Sequence, residues 1–258
     1  MLGFISNIAI AVLIYMSVIF IISIIKKDNS IVDIAWGPGF LVVSVVSIIL
    51  VKHLYIRQIF ILAMVAIWAM RLSTHIFIRN KDKKEDFRYA KWRKKWGKLF
   101  YIRSFFQIYL LQGLLMIIIS LPVIFIHKYT GKGFTHVDIF GFIVWLTGFT
   151  FEAVGDYQLY DFIQNRKSEK NSIMDEGLWN YTRHPNYFGE ALLWWGPFFM
   201  ALNVENGFFT IISPILIGIL LLKVSGVPML EKKFMKNPEY RKYARKTNKF
   251  FPWFKTKL

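Results

Sequence analysis

The chain has 258 residues, 55% of them hydrophobic, with a mean hydropathy of +0.40, and it carries a net charge of +17. That combination excludes an ordinary soluble domain and fits a polytopic membrane protein with basic loops. There is no cysteine, which excludes disulfides, thiolate catalysis and cysteine-ligated metals.

Met1 to Ile25 carries no charged residue and is long enough to cross a bilayer. With no charged n-region and no small-residue cleavage site before Lys26, it is expected to be a retained span rather than a signal peptide. Lys26, Lys27 and Asp28 end it. A short polar turn leads to the second apolar run, Ile34 to Val51, entered through Asp33, Trp36 and the Gly37-Pro38-Gly39 stretch, which is expected to break or delay the helix. Asp33 suits a helix cap and a site role equally. Ile59 to Ile78 is the third run. It holds Arg71 and His75, which with Arg79 are spaced i, i+4, i+8 and share one helix face.

A polar segment from Arg79 to Arg103 precedes the fourth run, Ser104 to Ile126. Within it, Glu85, Asp86, Arg88 and Tyr89 sit among lysines, and Trp92 and Trp96 with those lysines suit an interfacial amphipathic helix. The fifth run, roughly Val137 to Phe162, carries Glu152 and Asp156 one turn apart. An ionisable residue inside a span costs about 2.5–3.5 kcal/mol on insertion scales unless it is paired or wet. Facing the third and fifth helices inward would pair Arg71 with a carboxylate. A register-fixing ion pair and a polar cofactor cavity both satisfy that geometry. The cavity is favoured because His75, Arg79 and the stretch that follows should lie at the same end.

That stretch, Gly177 to Glu190, contains Arg183, His184, Pro185, Asn186 and Tyr187. Pro185 fits the first turn of a helix, so Arg183 and His184 end a loop and Asn186 to Glu190 begin the helix. A helix N-terminus beside an arginine suits an anion, and the alternative is a basic loop at a headgroup surface. Phe188 to Leu202 and Gly207 to Leu222 are the last two apolar runs, short enough to pair as a hairpin. In the tail, Asn237-Pro238-Glu239 reads as N-cap, first position and acidic first turn of a helix that places Tyr240, Tyr243 and Ala244 on one face.

Basic residues then orient the chain. Alternate connections hold 28 of them on one side and 4 on the other, apart from Arg71 inside the third run. By the positive-inside rule this predicts an all-α polytopic membrane protein of about seven transmembrane helices, N-terminus outside and C-terminus cytoplasmic. Residues 1–258 would form a single integral domain. Its polar site would occupy the cytoplasmic half of helices two to seven with loops 79–103 and 163–187 and tail 223–258. Most lysines are explained by this topology signal and by anionic lipid.

The order Gly177-Leu178-Trp179, Arg183-His184-Pro185-Asn186-Tyr187-Phe188-Gly189-Glu190, Glu231-Lys232-Lys233-Phe234, Tyr240, Tyr243 and Phe251-Pro252-Trp253 resembles the steroid 5-alpha-reductase superfamily. It is most similar to a bacterial branch named only as a domain of unknown function. Val32 to Gly37, Arg71-Leu72, Arg79-Asn80, Glu85 to Tyr89 and Gly155 to Leu159 are similar to that branch too, so the resemblance covers nearly the whole chain. The Arg183 to Tyr187 segment also resembles isoprenylcysteine carboxyl methyltransferases, which bind S-adenosylmethionine.

The resemblance implies an enzyme of a bacterial cell membrane, its site facing the cytoplasm, that uses NADPH to reduce an activated carbon–carbon double bond in a steroid-, isoprenoid- or lipid-like substrate. It places Arg71, Arg79, Asp156, Asn186 and Glu190 at the cofactor. Arg88, Tyr89, Arg183, His184 and Tyr187 become phosphate or ribose contacts, with Glu85 and Asp86 beside them. Steroid reductases polarise the substrate ketone with a tyrosine and an acid or amide from the first helices. No tyrosine lies between Trp68 and His75 here, so Asp33, Trp36 and His75 are the candidates. Two alternatives stay open: a membrane methyltransferase using S-adenosylmethionine, and a non-catalytic binder of lipid or small molecules. The expected partners are the bilayer and a lipophilic substrate, with neither nucleic acid nor metal.

Overall fold

The computed structural model describes residues 1–129, 131, 133–165 and 173–255, and its described elements are helical. They fall into two compact units, residues 1–135 with 201–210, and residues 136–200 with 211–258.

The first unit contains α1 (Leu2–Lys26), α2 (Ile31–Ile49), α3 (Ile56–Asn80), α4 (Phe87–Trp96), α5 (Phe100–Ser104), α6 (Leu111–Ile119) and α7 (Leu121–Tyr129). A π-helical turn, Phe105–Leu110, joins α5 to α6. The second contains α8 (His136–Asn165), α9 (Pro185–Ala201), α10 (Ile212–Ile219), α11 (Val227–Phe234) and α12 (Pro238–Lys246). Among the described residues, six segments are long and apolar enough to cross a membrane: Leu2–Lys26, Ile31–Ile49, Ile56–Asn80, Phe87–Ile119, His136–Asn165 and Gly207–Phe234. The chain therefore reads as an integral membrane protein. The run expected as the sixth span is α9, whose 17 residues reach about 26 Å at 1.5 Å per residue, short of a hydrocarbon core of about 30 Å.

Gly37-Pro38-Gly39 does not break α2, contrary to the expectation from sequence: the helix runs through it to Ile49. Pro38 offers no N–H to the Ile34 carbonyl, four residues back. Ser73 Oγ on α3 donates to that carbonyl instead, at 2.8 Å. The glycines let the neighbours in. A methyl on Gly37 would lie 2.7 Å from the Ala69 carbonyl oxygen, so α2 and α3 meet backbone to backbone. Ser73→Ala should reopen the unsatisfied carbonyl and cost about 1–2 kcal/mol in thermal or denaturant unfolding of the detergent-solubilised protein. An unchanged melting temperature would show that the helix tolerates Pro38 unaided.

In the second unit the glycines of α8 and α9 form a seam. Gly141, Gly148 and Gly155 recur every seven residues on α8, as do Gly189 and Gly196 on α9. A methyl on Gly141 would meet the Gly196 carbonyl oxygen at 2.7 Å, and one on Gly155 would meet the Asn186 nitrogen at 3.1 Å. A seven-residue repeat keeps such positions on one helix face, and small residues there let apolar helices approach closely. The seam sets Asp156 of α8 beside Asn186 of α9.

Candidate functional site

Two polar clusters emerge, one in each unit. In the first unit the α1–α2 turn docks on the segment leading into α4. Asp33 is not the cap of α2. Ser30 holds the N-cap position and Asp33 lies in the first turn. Its carboxylate accepts from the Arg88 guanidinium through one oxygen and from the Tyr89 hydroxyl, at 2.6 Å, through the other. Asp86 caps α4 by accepting from the Arg88 backbone N–H at 2.9 Å, and it also accepts from Arg88 Nε at 2.8 Å. Glu85 holds Arg93 through both oxygens, at 2.7 and 3.0 Å, and accepts from the Asn29 backbone N–H at 3.0 Å. Asn29, which is buried, donates to Ser104 Oγ at 3.1 Å, and the Tyr109 hydroxyl donates to its carbonyl at 3.3 Å.

Asp33, Glu85, Asp86, Arg88 and Tyr89 thus come together, and Arg79 acts on Asp33 and Asp86 through its charge. Arg71 and His75 are half-buried on α3. Trp36 is half-buried on α2 and packs edge-on against Phe40 with ring centroids 5.1 Å apart.

In the second unit the Gly177–Glu190 stretch is strapped to the tail. The Arg183 backbone N–H donates to the Asn248 carbonyl at 2.9 Å, Thr182 Oγ1 to the Phe250 carbonyl at 2.8 Å, and the Trp253 N–H to the Tyr181 carbonyl at 3.0 Å. The Tyr243 hydroxyl donates to the Trp179 carbonyl. Pro185 begins α9, as its chemistry requires, and Asn237 caps α12 by accepting from the Glu239 N–H at 2.9 Å.

At the head of α9 sits one carboxylate that sequence reasoning did not single out for the site. Glu231 of α11 meets His184 Nε2 at 2.9 Å, the Tyr240 hydroxyl at 2.7 Å and Arg183 NH1 at 3.3 Å. His184 is 1% exposed and Arg183 7%. Arg183 Nε and His184 Nδ1 are buried with no hydrogen-bond partner among the described residues. Tyr187 stacks on the His184 ring at 5.8 Å. Between them, Asn186 donates to Asp156 Oδ1 at 2.9 Å and its side-chain carbonyl accepts the Tyr187 N–H at 3.0 Å. Glu190 is half-buried, one turn further along α9. Glu152 and Asp156 on α8 are both buried.

Burial pushes the His184 imidazole below its ordinary value, against the pull of Glu231 and with Arg183 and Lys249 opposing a second positive charge. The folded protein therefore holds neutral His184, while an unfolded chain takes up a proton near pH 6.5. Stability contributed by this group is complete above that pH and falls as the pH drops below it toward the folded value. The melting temperature should decline from about pH 7 to about pH 5.5, and His184→Gln should flatten that part of the profile. A profile of unaltered slope in the variant would place the titration elsewhere.

Two shallow clefts adjoin this cluster. One, of about 520 Å³, is lined by Asp175, Glu176, Gly177, Asn180, Tyr181 and Lys255. The other, of about 300 Å³, includes Tyr243, Lys242 and Lys246.

No solved structure matches the chain. Uncharacterized protein C594.04c of Schizosaccharomyces pombe (strain 972 / ATCC 24843) is 22% identical over an alignment of 220 residues that covers 76% of this chain and 64% of that relative. The chain thus spans just under two thirds of that relative's length. Residues 19–247 match a family described as protein of unknown function, DUF1295. Every residue of the two clusters lies inside that match, and the tail strap from Asn248 to Trp253 follows directly after it; the chain belongs to the DUF1295 family.

Proposed function

We propose that this protein is a membrane-embedded, NADPH-dependent reductase of a carbon–carbon double bond conjugated to a carbonyl in a lipophilic substrate, of steroid, isoprenoid or lipid type. In this reading it belongs with the steroid 5-alpha-reductases. Seven crossings, α9 included, would put its N-terminus outside a bacterial cell membrane and its C-terminus in the cytoplasm. The observation that carries the reading is Arg183. A buried arginine whose Nε lacks a partner among the described residues, at the head of an apolar helix, is a donor suited to an anionic ligand.

The residues present fit such a cofactor. Asn186 and Asp156 offer an amide and a carboxylate for the nicotinamide carboxamide or a ribose hydroxyl, with Glu190 beside them. When bound, NADPH would supply hydride for the β carbon of the substrate, with solvent providing the α-carbon proton. The carbonyl oxygen, where negative charge would develop, needs a hydrogen-bond donor, and Trp36 and His75 are the candidates for that role. Asp33 accepts through both oxygens from Arg88 and Tyr89, so its part in this scheme is to position those two side chains rather than to donate.

A second reading, a methyltransferase using S-adenosylmethionine, is favoured by one specific observation. Arg88 and Arg183 are already engaged by Asp33, Asp86 and Glu231, which lowers the number of cations left for a polyphosphate ligand. The test is loss of NADPH absorbance on adding lipophilic enones to protein in lipid, with the reduced product identified by mass. Steady NADPH across enones of varied chain and ring type would count against the reductase.

A further inference from the structure

Tyr89, Trp92 and Trp96 of α4 recur at i, i+3 and i+7 and share one helix face, on which Trp92 and Trp96 are half-buried. Tyr89 is buried, Trp92 and Trp96 stack at 5.4 Å and 11°, and Trp96 continues onto Phe100 at 6.0 Å. The opposite face presents Lys91, Lys94 and Lys95, with Lys98 in the next turn, all exposed.

The segment Arg79 to Arg103 holds eleven basic residues. Arg88 and Arg93 are held by carboxylates, and Arg79 lies in the field of Asp86. The other eight are exposed, and among the described residues none has a carboxylate within salt-bridge distance. Next to them in the chain begins an apolar belt: Leu99, Tyr101, Ile102 and Phe106 are 50%, 45%, 61% and 59% exposed. A cationic surface bordering such a belt sits at headgroup level, because the belt belongs in hydrocarbon.

We propose that the outward face of α4, with Lys91, Lys94, Lys95 and Lys98, is a docking surface for anionic phospholipid headgroups, held by charge and not by insertion of Trp92 or Trp96. Lysines contribute to this kind of attraction roughly additively, and it decays within a Debye length. It therefore weakens with salt, whereas aromatic insertion does not. The surface stands apart from the reductase reading and does not depend on it. The apolar belt favours lipid over nucleic acid, which would need a basic surface clear of the hydrocarbon.

The test uses the full chain purified with an equimolar mixture of phosphatidylglycerol and phosphatidylcholine of matched chains, and counts the retained lipids by native mass spectrometry. The wild type should retain phosphatidylglycerol over phosphatidylcholine by roughly fivefold, and the preference should shrink in 0.5 M salt. K91Q/K94Q/K95Q/K98Q should lose most of it while melting like the wild type in phosphatidylcholine alone, since the four side chains are exposed. Trp92→Leu should keep it. Equal retention of the two lipids by the wild type, an undiminished preference in the fourfold variant, or loss of preference in Trp92→Leu at normal folding would overturn the proposal. So would binding of an RNA oligonucleotide to this face more tightly than phosphatidylglycerol.

Discussion

Glu231→Ala is expected to destabilise the protein by about 3 kcal/mol, the lower end of the cost of removing one partner from a buried ion pair. The carboxylate gathers three donors, from Arg183, His184 and Tyr240. Its side chain is 11% exposed and that of Arg183 8%, so water reaches the gap poorly and leaves an arginine charge without its counterion. The effect should extend beyond stability, because His184 precedes Pro185 and sets the entry of α9. Glu231→Gln keeps an acceptor for Tyr240 but not the charge, so it should fall between wild type and alanine. Denaturant unfolding in detergent, followed by tryptophan fluorescence, reads all three. An alanine variant within 0.5 kcal/mol of wild type, about the ordinary range for surface substitutions, would mean that Glu231 is solvated and the cluster loose.

Gly189→Val should be of similar size, about 3 kcal/mol, the upper end of overpacking costs. A methyl on Gly189 would overlap the backbone nitrogen of Glu152, and backbone cannot rotate away as a side chain can. Valine adds two further carbons to that overlap. α8 and α9 must then separate, and the Asp156–Asn186 hydrogen bond, held at 2.9 Å by the same seam, should lengthen or break. Gly3→Val is the control, because a methyl there meets nothing within 4 Å. If Gly189→Val folds and melts as Gly3→Val does, the helices do not meet along this seam.

Much of the fold was legible from local chemistry. Long uncharged runs, Pro185 at a helix start and Asn237-Pro238-Glu239 at another are short-range signals, and each produced the element it predicts. Pro38 misled for a non-local reason. The hydroxyl that satisfies Ile34 comes from Ser73, 39 residues away, and no window around Gly37 contains it. The seven-residue spacing of the glycines at 141, 148, 155, 189 and 196 went unread in the sequence, because only the packing of α8 on α9 gives that spacing its meaning.

The site was legible in part. Arg88, Tyr89, Asp86 and Asp33 stood out by type, and the structure brings them together. Glu231 entered only as part of a motif of the resemblance and was given no site role, because one acid before two lysines resembles an ordinary helix end. Its role depends on His184, 47 residues earlier. Trp92 and Trp96 were read from composition as suiting an interfacial helix, and the structure leaves both half-buried and stacked on each other, with Tyr89 on the same face buried.

The reductase account rests on a nicotinamide cofactor engaging the head of α9. The most direct measurement is an equilibrium titration of NADPH into the wild type and into Asn186→Ala, with S-adenosylmethionine as the comparison ligand. Asn186 bridges Asp156 and the Tyr187 backbone at the place assigned to the carboxamide. Its loss should weaken NADPH by about 1–3 kcal/mol, the cost of leaving a buried polar partner unsatisfied. The account predicts saturable NADPH binding by the wild type, weaker binding by Asn186→Ala and no uptake of S-adenosylmethionine by either. A wild type that ignores NADPH and binds S-adenosylmethionine, with Asn186→Ala binding neither, would contradict the account and put the methyltransferase in its place.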